Sequence, residues 1–142
     1  MNIKDLSPEA VNQIFYSANF VRDLDIRLAG VGDGWCETTL TIQDRFRQQH
    51  GFVHGGVIAT VADHTAGGAA RSVSGSGDVL TLEFKINFLR PAAGNALRCK
   101  ASVLRAGKNS IVAEASVFMV GGEKEELVAK LTETLFVIQP QK

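Results

Sequence analysis

The chain has 142 residues, 45% of them hydrophobic, with fifteen Lys and Arg balanced by fifteen Asp and Glu. That is enough chain for one ordinary domain, which hides about 70% of its extended surface on folding, so a single domain spanning residues 1–142 is expected. Balanced charge gives no field that would gather nucleic acid or an anionic membrane, and neither is expected as a partner. Cys36 and Cys99 lie far apart with no CxxC pair, and so read as reduced thiols. Residues 1–5 (MNIKD) lack a secretory pattern, and no apolar run approaches the roughly 20 residues that span a bilayer. A cytoplasmic location is the expectation.

Ser7-Pro8-Glu9 is a helix opening: a capping hydroxyl, a proline suited to the first turn and an acid for the positive end of the dipole. Val11, Ile14, Phe15 and Ala18 recur at helical spacing, and the helix is expected to run to about Ser17. Leu24, Ile26 and Leu28 then alternate with charged neighbours up to Gly30-Val31-Gly32-Asp33-Gly34, and a Thr-rich strand follows, which predicts a hairpin. A glycine loop that binds a dinucleotide is followed by a helix; this one is not.

The stretch from Gln48 to about Ser72 gathers an amide, His50 and His54, a Gly55-Gly56 pair and an acid, Asp63, within an Ala- and Gly-rich helical run. Glycines opening a helix expose free N–H groups at the positive end of the dipole, where a ligand carbonyl can approach and be polarised; they also serve simply as a sharp turn. A carboxylate amid small apolar residues either faces water or is kept for a role. Asp63 stands eight residues beyond Gly55, about 12 Å along a helix axis. That is too far to act on a carbonyl held at the start of its own helix, so Asp63 would serve the site of a second subunit across a twofold axis. Gly67-Gly68 weakens the helix by roughly 1 kcal/mol per glycine, which close packing would explain. His50 and His54 have the i, i+4 spacing of a helical zinc pair, but the glycines around them oppose a helix there and no Glu follows His50, so no metal is expected. His64, beside Asp63, points about 100° away round the helix.

Four strands follow. Leu80, Leu82, Phe84, Ile86 and Phe88 alternate with Thr81, Glu83, Lys85, Asn87 and Leu89, predicting one buried and one wetter face. Arg90-Pro91 ends that strand. Leu97 to Val103, Ile111 to Met119 and Leu127 to Ile138 supply the others, with a turn at Ala106-Gly107-Lys108-Asn109. Strands in hairpin succession, with helix segregated from them, predict an α+β domain of mostly antiparallel sheet.

His54-Gly55-Gly56 with Asp63 nine positions after the histidine, followed by Phe84-Lys85-Ile86-Asn87-Phe88-Leu89-Arg90-Pro91-Ala92, resembles the PaaI-like branch of the hotdog-fold acyl-CoA thioesterases over nearly the whole chain. The resemblance implies an antiparallel sheet wrapped around a long central helix, homodimers as the active unit, often paired into tetramers, and a thioester bound between subunits without a cofactor. By position, Gly55 looks like the backbone N–H that polarises the carbonyl. His54 would lie near the sulfur or support the loop, and Asp63 would be the nucleophile or general base lent by the other subunit. Thr81 matches a hydroxyl that orients the water or the acid, and Gln48 stands where PaaI-like relatives commonly have Asn.

For an acyl-CoA substrate, Arg90 and Lys108 sit where a cation reaches a phosphate, and Gly107, Asn109 and Ser110 where they contact pantetheine or nucleotide; Arg90 and Lys108 also fit as solvated surface charges. The predicted activity is hydrolysis of an acyl- or aroyl-CoA. The alternatives are a hotdog enoyl-thioester hydratase and a non-catalytic acyl-CoA-binding module.

Overall fold

The structure is a computed structural model that describes residues 2–141. Ser7 opens the first helix, α1 (Pro8–Phe15), with its Oγ accepting the Ala10 N–H at 3.2 Å. α1 stops just short of the expected Ser17, and a second helix, α2 (Asn19–Leu24), follows. Six residues are too few to show a helical period, so Leu24, expected in a strand-like alternation, instead closes α2, before Asp25 in the left-handed region (φ 61°).

Strands β1 (Arg27–Gly32) and β2 (Trp35–Thr41) form the predicted hairpin, turning at Gly34 with φ 80°. A Cβ added at Gly32 would lie 2.2 Å from the Trp35 indole nitrogen, and one at Gly30 3.0 Å from the same ring. The glycines of this loop therefore seat a tryptophan.

The remaining strands are β3 (Asp78–Phe88), β4 (Ala96–Ala106), β5 (Ser110–Gly121) and β6 (Lys124–Ile138). They join β1 and β2 in one antiparallel sheet of order β1-β2-β4-β5-β6-β3. The long helix α3 (Gly55–Arg71) connects β2 to β3, two strands at opposite regions of that order, and packs on the sheet face between. Its Ile58, Val61, Ala62, Ala66, Ala69 and Ala70 are buried against the alternate residues Leu97, Cys99 and Ala101 of β4 and Ile111, Ala113, Ala115 and Val117 of β5. Small side chains on both surfaces let helix and sheet approach closely. Gly68 completes the contact, since a Cβ there would come within 2.8 Å of Cys36 Sγ. Gly67 has nothing within 4 Å of its added Cβ and so is not explained by packing. This is the predicted hotdog arrangement.

The expected face of β3 needs correction. Its register with β6 pairs Thr81 with Leu135 and Glu83 with Thr134, so Leu82 is an extra residue in a β-bulge. Before the bulge Val79 and Thr81 face α3; after it Phe84, Ile86 and Phe88 do. The single alternation read from Leu80 to Phe88 is thus two half-strands of opposite phase. Only Val79 and Ile86 are even partly covered, because β3 is the sheet's edge.

Candidate active site

The N-terminus of α3 is held by a pinned loop. Arg47 bridges to Val53, the Gln48 N–H donates to Phe52 O at 2.8 Å, and Gly51 makes the turn at φ 85°. The Val53 N–H reaches Ala92 O at 3.0 Å, tying the loop to the segment after β3. His54, in extended conformation, caps the helix: its Nδ1 accepts the Gly56 N–H at 2.8 Å, and its carbonyl takes the Val57 and Ile58 N–H groups. Among the described residues, the first turn thereby leaves the Gly55 N–H without an acceptor. His54 thus caps α3. The Gln48 Oε1 accepts the His50 N–H at 2.5 Å. Gln48, Gly55, Phe88 and Arg90 line one surface hollow of about 370 Å³.

Asp63 lies more than two turns further on and lines a different cavity, of about 240 Å³, shared with Thr81, Phe15, His64, Gly67 and Val79. Thr81 Oγ1 donates to Asp63 Oδ1 at 2.7 Å. One protomer therefore brings Asp63 and Thr81 together, brings Gln48, His54 and Gly55 together, and keeps the two groups apart.

His64 does not converge on Asp63. Its Nε2 meets Phe15 O at 3.2 Å and its ring packs 4.4 Å from that of Phe15. Burial lowers its pKa, favouring the neutral imidazole. His50 lies in a turn and His54 precedes the helix, so the two do not form a helical pair. Both cysteines are buried, and burial pushes each thiol up to about 12. A thiol held in that form is a poor nucleophile.

The residues assigned to a coenzyme A arm divide between the ends of the sheet. Gly107 to Ser110 form the β4–β5 turn, closed by the Gly107 N–H to Ser110 O at 2.8 Å, with Asn109 O accepting from the Val137 N–H. Lys108 is exposed beside them. Arg90 stands at the other end of β3, 3.8 Å from Glu126 with both side chains mostly in water. The eleven residues of β3 separate the two groups, roughly 35 Å at the rise of a strand.

A residue absent from the sequence expectations is Glu133. On β6 it occupies the inward phase between the buried Leu131 and Leu135, and it is 0% exposed. Burial, with Asp63 and Glu83 adding to it, pushes its pKa from an ordinary 4.5 up to about 10. The signal was present in the sequence: an acid in the buried phase of Leu131-x-Glu133-x-Leu135-x-Val137.

A central helix laid on one antiparallel sheet thus carries an unclaimed N–H at its start and a hydroxyl-bound carboxylate within it. The family model described as the thioesterase superfamily matches residues 50–126. A protein of Saccharolobus solfataricus named as an esterase is 33% identical over 107 residues, 75% of this chain and 76% of that one. The 1,4-dihydroxy-2-naphthoyl-CoA hydrolase of Escherichia coli is 29% identical over 81% of this chain and 85% of its own. Among solved structures, a thioesterase family protein from Silicibacter pomeroyi is 33% identical and superposes with a TM-score of 0.88 over 92% of this chain and 96% of that chain. A thioesterase from Haemophilus influenzae, 26% identical, gives 0.82 over 95% and 92%. The chain belongs to the thioesterase superfamily and is a thioester hydrolase.

Proposed function

We propose that the protein hydrolyses an acyl-CoA thioester to the free acid and coenzyme A in a site assembled from two copies of one thioesterase domain. The observation that carries this reading is the Thr81 hydroxyl on Asp63 Oδ1 at 2.7 Å, in a cavity separate from the hollow that holds the Gly55 N–H. Hydrolysis needs both a carbonyl holder and a reagent, and one protomer keeps them apart.

The edge strand supplies a way to join them. β3 carries Leu80, Leu82, Phe84 and Phe88 at 58%, 62%, 40% and 53% exposure on a sheet edge eleven residues long. Such an edge invites pairing, and a twofold across it continues the sheet into a second protomer. α3 runs antiparallel to β3, with Gly55 at the Phe88 end and Asp63 at the Thr81 end. An antiparallel β3–β3 pairing therefore sets the Gly55 end of one protomer beside the Asp63 end of the other. It also brings Arg90 of one towards the Gly107–Ser110 turn of the other, gathering the expected coenzyme A contacts.

In that site the Gly55 N–H, at the positive end of α3, polarises the thioester carbonyl. Asp63 from the second protomer either attacks the carbonyl carbon, expelling the thiolate and forming an anhydride that water opens, or takes a proton from water as the water attacks. The thiolate needs little protonation to leave, so no further acid is required. The cavity beside Asp63, about 240 Å³ and lined by Phe15, Val79 and Gly67, suits the acyl part, and an aroyl group fits its aromatic wall. The relative that hydrolyses a naphthoyl-CoA favours the same class. The hydratase alternative wants an Asp and a His converging on one substrate, and His64 instead binds Phe15.

Thiol release from a panel of acyl- and aroyl-CoAs, run beside Asp63→Asn, tests the reading. Release by the native protein that the substitution abolishes supports it; binding without release by the native protein overturns it.

A further inference from the structure

We propose that Glu133, as a neutral carboxylic acid, is a positioning residue that donates a hydrogen bond to the Asp63 carboxylate from β6 while Thr81 donates to it from β3. The inference rests on the reading of Asp63 as the reagent of the site.

The argument begins with satisfaction of polar atoms. Glu133 is 0% exposed, and as a carboxylate neither of its oxygens has a donor within reach. Two buried oxygens without donors are costly for an ionised acid. The neighbouring acid is Asp63, bonded to Thr81, whose cross-strand partner Leu135 lies two residues from Glu133 on the same face of β6. Two carboxylates cannot bond without a proton between them, and one proton converts this repulsion into an O–H···O⁻ bond of the charge-assisted kind.

Burial decides which acid holds the proton. Asp63 is only partly covered, opens on the cavity and already accepts from Thr81. Glu133 has none of these. The acids near it are Asp63 on α3 and Glu83 on β3, while its cross-strand partners Ala113 on β5 and Phe84 on β3 carry no charge. Of the two lysines on its own strand, Lys130 is engaged by Glu114 and Ser116, and Lys124 stands nine residues away at the strand's start. Burial and both acids push the Glu133 proton on.

The consequence is geometric. A carboxylate on one helix, held by donors from two strands, has one rotamer and aims a free lone pair into the cavity, towards a carbonyl carbon or a water. Without Glu133 the Thr81 hydroxyl alone would fix Asp63, and the carboxylate could turn about that bond.

Glu133→Leu removes the donor, and Glu133→Gln replaces it with an amide N–H of similar reach. Steady-state hydrolysis of a panel acyl-CoA should show kcat falling about 10- to 100-fold in Glu133→Leu, with KM within about threefold of native, and most of kcat restored in Glu133→Gln. The acid limb of the kcat/KM profile should move to higher pH in Glu133→Leu and stay in place in Glu133→Gln. Infrared difference spectra of native protein against Glu133→Gln at pH 7 should contain the C=O stretch of a protonated carboxyl, which needs neither a folded leucine variant nor activity. A missing protonated band, or a soluble Glu133→Leu enzyme with native kcat and profile, overturns the inference. Full activity in Asp63→Asn would instead overturn the reading of Asp63, and the infrared band would still report whether the two acids share a proton.

Discussion

The Thr81 hydroxyl donates to Asp63 Oδ1 across 2.7 Å, joining the exposed edge strand to the central helix at the carboxylate assigned as reagent. Thr81→Val keeps the shape and removes the donor. A hydrogen bond to a charged group contributes about 1.5–3 kcal/mol, so kcat should fall about 10- to 100-fold. Thr81→Ser should retain most of it. Steady-state hydrolysis of the best acyl-CoA, with melting curves to show that Thr81→Val still folds, makes the comparison.

Gly67 lines the cavity beside Asp63 and has open space where a side chain would begin. Gly67→Ala should raise stability by roughly 1 kcal/mol through helix propensity, and Gly67→Leu should fill part of the cavity. If the acyl group binds there, the leucine variant loses kcat/KM on bulky aroyl-CoAs while keeping it on short ones. Equal losses across the acyl series would place the acyl group elsewhere. At the neighbouring glycine the sign reverses, because a methyl at Gly68 would press on Cys36 Sγ at 2.8 Å; Gly68→Ala should lower the melting temperature.

Glu133 ties stability to pH. Its folded pKa of about 10 stands above the ordinary 4.5, so between those values the folded chain keeps a proton that the unfolded chain releases. Stability from this group therefore falls as pH rises, by up to about 1.4 kcal/mol per pH unit. Glu133→Gln cannot ionise. Its melting temperature relative to native should climb from pH 5 to pH 9, and thermal melts across that range should show the gap widening. A constant gap would mean that Glu133 is ionised in the fold.

Leu82, the bulged residue of β3, is 62% exposed on the edge that the proposed dimer covers. Leu82→Lys places a charge on that edge, and sedimentation should show dissociation with loss of activity that high protein concentration restores. A native protein that remains monomeric at micromolar concentration and fully active would refute the pairing.

Much of this was legible in the sequence because its signals are local. Ser7-Pro8 at a helix start, the period of two along β4 and β5, and the rise per residue between Gly55 and Asp63 each need only neighbouring residues. What was missed depends on tertiary structure. A single residue inserted in one strand relative to its partner cannot be seen without the partner, so the phase change at Leu82 was read as unbroken alternation. α2 is too short for a period. Glu133 matters only because β6 turns it towards Asp63, seventy residues earlier in the chain, although its place in an apolar alternation was a local clue. The Gly107–Ser110 turn and Arg90 were read as one set of contacts, and a single protomer holds them at opposite ends of β3.

The central claim, that each site takes its carbonyl holder from one chain and its carboxylate from another, is most directly tested by mixing two inactive variants. Gly55→Pro deletes the N–H at a first helical position that tolerates proline, preceded by His54 in the extended conformation that proline requires. Asp63→Asn removes the reagent. Each alone should be inactive. Unfolded together and refolded at equal concentration, half of the dimers are mixed and each mixed dimer has one intact site, so about a quarter of native activity should return. If both variants refold and mix into dimers, as mass-tagged subunits would show, and no activity returns, the shared site is contradicted.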